Sequence, residues 1–182
     1  MLVIIYYHMQ KQGKKLNFLG MEIEFLGKGK FGLGNVQCSK NSIEKLEEFL
    51  KPFGEYLNNI YAHSATKNLN VVRPNCEAVC PGKTDIYCSY MAMFIWFMKR
   101  GRLDIKPTMS FLCTPVKGPT KDNWHKFKRL ACFLKRTVND VQTIGADDLL
   151  NMIVMIDSSH AVHGDMRGHT GGVTIFGTGV ID

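Results

Sequence analysis

The sequence has few of the features that mark a membrane protein, a secreted protein or a disordered chain. The longest apolar run, Tyr90 to Met98, is roughly half of the ~20 residues that a helix needs to span a bilayer, so we expect no membrane partner. The apolar opening, Met1 to Tyr7, lacks the basic leader and the small-residue cleavage site of a signal peptide. An apolar content of 45% argues for a folded protein.

Paired cysteine motifs are also missing. The sequence contains six cysteines, and Cys76 and Cys80 are the only close pair among them. A zinc site needs a second such pair or regularly spaced histidines. Reduced thiols in an intracellular protein are therefore the simpler interpretation.

Acidic residues are scarcer than basic ones. The chain carries 23 lysines and arginines against 16 aspartates and glutamates, which gives a net charge of +7. This balance favours a polyanionic partner such as nucleic acid, but an ordinary soluble protein can carry the same charge. Charge alone leaves both interpretations open.

The residues from Lys14 to Gln37 predict a β-hairpin. Apolar side chains lie mostly at alternate positions, Gly27 to Lys30 supply the turn, and the return strand is expected to include Val36. Leu19-Gly20 interrupts the first strand. A glycine inside a strand predicts a bulge or a close approach of another group to the backbone.

Three further segments predict helices. Asn41 to Leu50 is amphipathic, with Asn41 as the expected N-cap and Pro52 as the residue that ends the helix. Thr84 to Gly101 has the composition of a buried helix. Ile105 to Val116 is interpreted as a second helix or an extended segment.

Pro119 to Thr137 predicts the clearest amphipathic helix, capped by Thr120. Its apolar face consists of Trp124, Phe127, Leu130, Ala131 and Leu134. Basic residues occupy much of the remaining surface, and the candidate nucleic-acid contacts among them are Lys121, Lys128, Arg129 and Lys135. Such a basic stripe can follow the phosphates of a nucleic acid, or it can be a solvated face.

Two stretches lack a clear helix or strand pattern. Residues 54–83 predict a linker or long loop, and Val138 to Leu150 predicts a shorter connection. The second stretch contains Asp147-Asp148, which looks like a polymerase metal pair. The tyrosine and apolar residue that should precede such a pair are missing, so we assign it no catalysis.

The last stretch, Asn151 to Asp182, predicts strands joined by glycine turns. The apolar run from Met152 to Ile156 ends on Asp157, a turn is expected from Gly168 to Gly172, and a second strand covers Val173 to Phe176. A strand that ends on an aspartate places a carboxylate at a sheet edge, where it can bind Mg²⁺. The alternative role of this aspartate is that of a strand-end turn residue.

The same stretch resembles the start of the ribonuclease H domain in copia-type (Pseudoviridae) retrotransposon polyproteins. That family typically reads V-D-A-S-(aromatic)-A-V-H and then D-M-(K/R)-S-H-T-G-G-V. The corresponding residues here are Ile156 to His163 and Asp165 to Val173. Ser158, His160 and Gly168 depart from the family pattern, and the carboxylate is kept.

Upstream segments extend the resemblance. Phe18 to Met21 looks like the Y-L-G-M segment of copia-type reverse transcriptases, in which Leu19-Gly20 would belong to a hairpin that supports the primer end. Lys99 to Ile105 is similar to the family's K-R-(A)-R-P-D-I, and Ser110 to Thr114 is similar to its F-L-(C/S)-T-R. Pro115 stands where the family has the arginine.

The resemblance implies a fragment of a retrotransposon RNA-directed DNA polymerase and ribonuclease H. Asp157 would be the first of the acidic residues that hold two Mg²⁺ ions, and the partners would be an RNA–DNA hybrid or primer-template and the remainder of the Pol polyprotein. The polymerase Tyr-(apolar)-Asp-Asp turn and the later ribonuclease H acids are missing, so we expect no activity from this chain alone. The implied location is a cytoplasmic virus-like particle or the nucleus.

The expected fold class is α+β, with a β-hairpin and helices of a reverse-transcriptase thumb or connection-like region followed by the first strands of a truncated ribonuclease H-like fold. Residues 1–53 would end the reverse-transcriptase palm, with the primer-grip hairpin and a thumb-like helix. Residues 54–83 would be a linker, 84–150 the helical thumb or connection-like region, and 151–182 the incomplete ribonuclease H-like domain. The alternatives are a nucleic-acid-binding remnant and a degenerate open reading frame without catalytic activity.

Overall fold

The structure, a computed structural model, describes residues 13–71, 73–145, 150–160, 168–177 and 179–180. Within these ranges the chain forms four α-helices and two antiparallel sheets, so the α+β class is confirmed. The apolar run from Met1 to Tyr7, which has the pattern of a buried strand, and the Asp147-Asp148 pair lie outside the described residues.

The first sheet consists of β1 (Lys15–Phe18), β2 (Met21–Gly27), β3 (Lys30–Gly34) and β4 (Gln142–Gly145). The strands are antiparallel and follow the order β1-β2-β3-β4. The last strand, β4, comes from a stretch that the sequence predicted as a connection.

Two tight turns join the first three strands. Leu19 and Gly20 connect β1 to β2 with φ angles of 49° and 76°, and Lys28 and Gly29 connect β2 to β3 with φ angles of 50° and 73°. Two-residue turns with positive φ at both positions suit the right-handed twist of paired strands. The predicted turn between Gly27 and Lys30 is confirmed, whereas the predicted single first strand is wrong because Leu19-Gly20 reverses the chain.

The helices are α1 (Val36–Leu50), α2 (Pro81–Lys99), α3 (Lys106–Leu112) and α4 (Lys121–Arg136). Helix α1 begins at Val36, so the predicted N-cap at Asn41 and the predicted placement of Val36 on a strand are wrong. Helix α4 has the predicted cap, since the Thr120 side chain accepts a hydrogen bond from the backbone N–H of Asn123. None of the helices in the described ranges combines the length and the hydropathy that a bilayer crossing requires.

The hydrophobic core lies between the four helices. The Phe127 ring of α4 packs against Tyr87 and Phe94 of α2, with ring centroids 5.5 and 5.9 Å apart, and against Trp124 at 5.2 Å. All four side chains are buried. Each buried aromatic side chain contributes about 1.5–3 kcal/mol of stability through the hydrophobic effect, so this cluster defines the packing of α2 on α4.

Residues 54–80, which we call the wrapping loop, contain no helix and no strand, and their only β pairing is an isolated bridge from Ala78 to Thr120 among the residues described. The loop nevertheless packs on the core, because Leu57 is buried and the Ser64 hydroxyl is hydrogen-bonded to the Thr108 hydroxyl at 2.9 Å. The predicted linker or long loop therefore has the expected irregular backbone, but it packs on the core in a way that the sequence did not predict.

The second sheet contains β5 (Met152–Ser159), β6 (His169–Phe176) and β7 (Gly179–Val180), in the order β5-β6-β7. The predicted turn from Gly168 to Gly172 is wrong, since Gly171 and Gly172 lie inside β6 opposite Asp157 and Ile156. Every β5 side chain is exposed, so this strand adds nothing to the core formed by the helices.

Candidate functional site

Asp157 lies within β5 instead of at its end, because the strand continues to Ser159. Its partner in the antiparallel pair is Gly171 of β6, so no side chain stands opposite the carboxylate. The Asp157 side chain is exposed. The prediction that the strand ends at Asp157 is therefore wrong. The prediction that a sheet presents this carboxylate to solvent agrees with the structure.

A cavity of about 620 Å³ lies beside Asp157. The sheet contributes Met155 and Val173 to its lining, and the turn before α3 and the first turn of α3 contribute Leu103 and Pro107. Most of this lining is apolar. Such a composition suits contact with apolar groups better than coordination of a hard cation, which needs several oxygen ligands.

The described residues around Asp157 do not fit a magnesium centre. No group of three or more His, Cys, Asp or Glu side chains suited to holding a metal ion exists in the described part of the chain. Two catalytic ions held ~3.5–4 Å apart need several shared oxygen ligands, which one carboxylate cannot supply. We therefore assign no catalytic step to Asp157 in this chain.

The basic side chains of α4 are bonded within the molecule. Lys121 forms an ion pair with Glu77 of the wrapping loop, and Nζ of Lys135 donates a hydrogen bond of 2.6 Å to Oε1 of Glu47 on α1. The Lys121 and Lys135 side chains keep 59% and 41% of their surface exposed. These two candidate contacts thus remain reachable from solvent while they are paired.

Lys128 is held more deeply, in a cluster centred on Glu55. Oε2 of Glu55 accepts a hydrogen bond of 2.8 Å from the indole N–H of Trp124 and lies 3.0 Å from Nζ of Lys128. Oε1 accepts a hydrogen bond from Lys83. The Lys83 ammonium also lies over the rings of Phe53 and Trp124, 5.4 and 5.3 Å from their centroids.

The pKa of Glu55 reflects this cluster. Burial alone would raise the pKa, but the hydrogen bonds from Lys83, Trp124 and Lys128 outweigh burial and lower it from 4.5 to about 2. The carboxylate is therefore ionised throughout the physiological range. Its single negative charge is shared by two of the lysines that contribute to the basic character of the chain, so the cluster keeps a net charge of about +1.

Arg129 and its neighbour Lys126 also contact the wrapping loop. The Arg129 guanidinium lies over the Tyr61 ring, 4.1 Å from the centroid. Nζ of Lys126 donates hydrogen bonds of 2.7 Å to the backbone carbonyls of Leu69 and Val71. The wrapping loop covers much of the polar side of α4. The sequence was compatible with a phosphate-binding or a solvated basic stripe on this helix, and in the structure much of that stripe packs against the loop.

Leu19 and Gly20 lie far along the chain from α4, at the turn between β1 and β2. The predicted close approach is confirmed here, because a Cβ added to Gly20 would lie 3.0 Å from Cη2 of Trp96. The Arg100 guanidinium lies over the same indole, 5.2 Å from the ring centroid. The turn is thus seated on α2, and Leu19 remains 64% exposed.

The sequence did not lead us to Glu55 or Lys83 as functional residues, although it contains a feature that points to Glu55. Glu55 and Glu77 are the only acidic residues between positions 54 and 83, and each pairs with a lysine of α4. An isolated acid in a weakly charged loop that precedes a basic helix is a sequence feature that predicts such a pair. The identity of the partner depends on the fold.

Comparison with protein-family models, with curated proteins and with solved structures finds no match to this chain. The resemblance to copia-type polyproteins therefore rests on the motif residues alone. Their geometry is the basis for assigning a function.

Proposed function

We propose that this chain is a segment of a copia-type reverse transcriptase and ribonuclease H polyprotein that neither copies nor cleaves nucleic acid by itself. The observation that carries the proposal is the motif from Ile156 to Val173, whose two ends lie on the paired strands β5 and β6. This pairing displays Asp157 on an antiparallel meander, which is the arrangement that the resemblance implies for the first metal ligand.

The chemistry explains why the segment would be inactive alone. Hydrolysis of an RNA phosphodiester by two Mg²⁺ ions requires carboxylates that stabilise both the entering and the leaving oxygen. Asp157 supplies one carboxylate, and the described residues place no second acid with it. The polymerase reaction needs a Tyr-(apolar)-Asp-Asp turn, which the sequence does not contain.

A cleavage assay tests the proposed lack of activity. The chain and its Asp157→Asn variant are each incubated with Mg²⁺ and an end-labelled RNA–DNA hybrid. We expect intact hybrid in both reactions. Cleavage by the unaltered chain that disappears in the Asp157→Asn variant would show that the segment is a nuclease on its own.

Sequencing the transcript across both ends of the reading frame tests membership in a polyprotein. We expect in-frame coding that includes a Tyr-(apolar)-Asp-Asp turn upstream and a helix bearing a glutamate downstream. Stop codons on both sides of the frame would exclude the polyprotein and leave a remnant of such an element.

A second candidate function is nucleic-acid binding without catalysis, and the observation that favours it is the partial exposure of paired Lys121 and Lys135. Because exposed ion pairs contribute little free energy, a phosphate can replace the glutamate at small cost. Fluorescence anisotropy with an RNA–DNA hybrid across a salt series tests this function. The slope of the logarithm of the binding constant against the logarithm of the salt concentration measures how many phosphate contacts form. We expect Lys121→Ala and Lys135→Ala each to reduce the magnitude of this slope by about one.

The matched control is Lys28→Ala, which removes the same charge from the β2–β3 turn. Equal losses of affinity in all three variants would indicate a response to net charge only, and unchanged affinity in all three would exclude the α4 surface. Lys128 is unsuitable for this test because its removal also disturbs the Glu55 cluster.

A further inference from the structure

The cavity beside Asp157 has the size and the lining of a small-molecule site. Its volume is about 620 Å³, within the ~300–1,000 Å³ of typical ligand pockets, which are mostly apolar and contain a few polar groups that orient the ligand. Leu103 and Pro107 line it from the helical side, and Met155 and Val173 line it from the second sheet. Such a lining suits a hydrocarbon body.

Two charged side chains line this cavity among the residues described, and they differ in their bonding. Lys106, in the first turn of α3, already takes part in an interaction within the molecule. The Asp157 carboxylate forms no hydrogen bond and no ion pair in the described part of the chain. The charge that still lacks a partner in this lining is therefore negative.

Gly171 leaves room beside the Asp157 carboxylate. Directly paired residues of antiparallel strands share one face of the sheet, so Gly171 lies on the same face as Asp157. A Cβ added to Gly171 would have no atom within 4 Å. Met155 and Val173 are paired two residues further along the strands and share this face. The carboxylate, the open space and the apolar lining are therefore adjacent.

We propose that this cavity binds a small organic cation, in which a protonated amine is attached to a hydrocarbon body. The ammonium group donates a hydrogen bond to the Asp157 carboxylate above Gly171, and the hydrocarbon lies against Met155 and Val173. A charge-assisted hydrogen bond is about twice as strong as one between neutral groups. A neutral ligand forgoes this bond, and an anion is repelled by the carboxylate. The inference does not depend on the proposed polyprotein.

Three probes with the same aromatic body test the ligand class. At neutral pH naphthylmethylamine is protonated, naphthylmethanol is neutral and naphthylacetate is negatively charged. Ligand-observed NMR titrations of the full chain give the Kd of each. We expect a Kd of about 0.1–1 mM for the amine, binding of the alcohol that is about threefold to tenfold weaker, and no measurable binding of the acetate. Added salt should weaken binding of the amine and leave binding of the alcohol unchanged.

Two substitutions separate the charge from the cavity. Asp157→Asn keeps the shape of the side chain and removes its charge, so the amine should bind only as tightly as the alcohol, whose own affinity should not change. Val173→Trp puts a large ring into the lining, so neither probe should bind. Loss of selectivity in the first variant and of all binding in the second is the pattern that the proposal requires.

Each substitution has a matched control outside the lining. Asp85→Asn removes a charge from an exposed aspartate of α2. Val154→Trp makes the bulky change on the same sheet, at a neighbour of Met155 and therefore on the opposite face, where the side chain is 50% exposed against 38% for Val173. Both controls should bind the amine like the unaltered chain.

Four results would each overturn the proposal. They are absence of amine binding to the unaltered chain, equal affinities of the amine and the alcohol for that chain, binding by a folded Val173→Trp variant, and an equal loss of binding in Val154→Trp. If Val173→Trp fails to fold, amide chemical shifts of the unaltered chain decide. The amine must then shift the amides of residues 170–173 more than those of α4, and equal shifts in both would also overturn the proposal.

Discussion

Glu55 shows how one side chain can organise an irregular segment. Its carboxylate lies between two lysines and an indole N–H that belong to α2 and α4, so the start of the wrapping loop is fixed to both helices. The Glu55 side chain is only 17% exposed. An ion in such a position depends on its partners, because water no longer solvates it fully.

We predict that Glu55→Gln destabilises the protein by about 2–3 kcal/mol. The glutamine keeps an oxygen that can accept the hydrogen bond from Trp124, but it leaves the ammonium groups of Lys83 and Lys128 without a counter-charge. Urea unfolding followed by tryptophan fluorescence measures the change. Glu77→Gln is the matched control, since its ion pair with Lys121 is exposed and its loss should leave the unfolding midpoint unchanged.

The lowered pKa of Glu55 predicts a specific dependence of stability on pH. Because the pKa is about 2 in the folded protein against an ordinary value of 4.5, the ionised carboxylate stabilises the fold above pH 4.5, and this contribution disappears as the pH falls towards 2. It amounts to about 3 kcal/mol at neutral pH. The Glu55→Gln variant should therefore lose less stability than the unaltered chain between these values.

Urea midpoints of both proteins at pH 6, 4.5, 3.5 and 2.5 test this dependence. Other carboxylates titrate in both chains, so the difference between the two proteins isolates Glu55. If the difference between the urea midpoints of the two proteins stays constant from pH 6 to pH 2.5, the Glu55 charge contributes nothing to folding.

Arg102 is a residue of the Lys99 to Ile105 motif that has a structural role in this chain. It is 2% exposed, and its guanidinium binds the Asp104 carboxylate at 2.9 and 2.8 Å and the backbone carbonyl of Thr137 at 2.9 Å. It thereby joins the turn before α3 to the carboxyl end of α4, where a cation interacts favourably with the helix dipole. Arg102 therefore contributes to packing in this chain, whatever partner the Lys99 to Ile105 stretch has.

At the scale of elements, the turn between β1 and β2 depends on Gly20. Its φ of 76° is unfavourable for other residues, and its Cα faces the Trp96 ring. We predict that Gly20→Ala costs about 2–3 kcal/mol, because the added methyl group meets the indole in addition to the backbone strain. Gly27→Ala should cost only about 1 kcal/mol, since its φ is also positive and no atom lies within 4 Å of the added Cβ.

Thermal unfolding of Gly20→Ala and Gly27→Ala measures the difference in their loss of stability. Repeating both substitutions in a Trp96→Phe background tests whether the indole causes that difference. The smaller ring should remove the excess cost of Gly20→Ala over Gly27→Ala. An equal cost of both alanines in the unaltered chain would contradict the role of the indole contact.

The elements that could be predicted from the sequence are those whose signals are local. Helix α4 has a cap at Thr120 and an apolar face at helical spacing, and both are found in the structure. The β1–β2 turn was missed because it requires a left-handed conformation at Leu19, which leucine rarely adopts. The start of α1 was missed because Asn41 has the pattern of a cap although it lies inside a helix.

The candidate site shows the same limit. Periodicity placed the lysines on the polar side of α4, but their partners Glu47, Glu55 and Glu77 come from distant parts of the chain. Pairing between distant residues is set by tertiary packing, which a helical repeat does not encode. The carboxylate of Asp157 could be found from its motif, whereas its exposure depends on which elements lie over the sheet.

At the scale of the whole molecule, burial is divided unevenly. The buried hydrophobic cluster comes from the helices and the wrapping loop, and no residue of β5 or β6 belongs to it in the described ranges. Regions with few buried apolar contacts open at lower free energy than the core. We therefore predict that β5 and β6 exchange their amide hydrogens before the helical core unfolds.

Two probes separate exchange of the second sheet from unfolding of the helical core. The only tryptophans, Trp96 and Trp124, lie in α2 and α4, so their fluorescence reports unfolding of the helical core. We expect a single cooperative urea transition, in which the free energy of unfolding falls by about 1–3 kcal/mol per molar urea. Hydrogen exchange measured by mass spectrometry in dilute solution should show residues 152–159 and 169–176 exchanging well before α2 and α4. A fluorescence signal without a cooperative transition would instead support the degenerate reading frame, because a decayed sequence does not retain the matched aromatic packing that makes unfolding all-or-none. Equal protection of the second sheet and the helices would mean that the sheet is covered by a partner even in dilute solution.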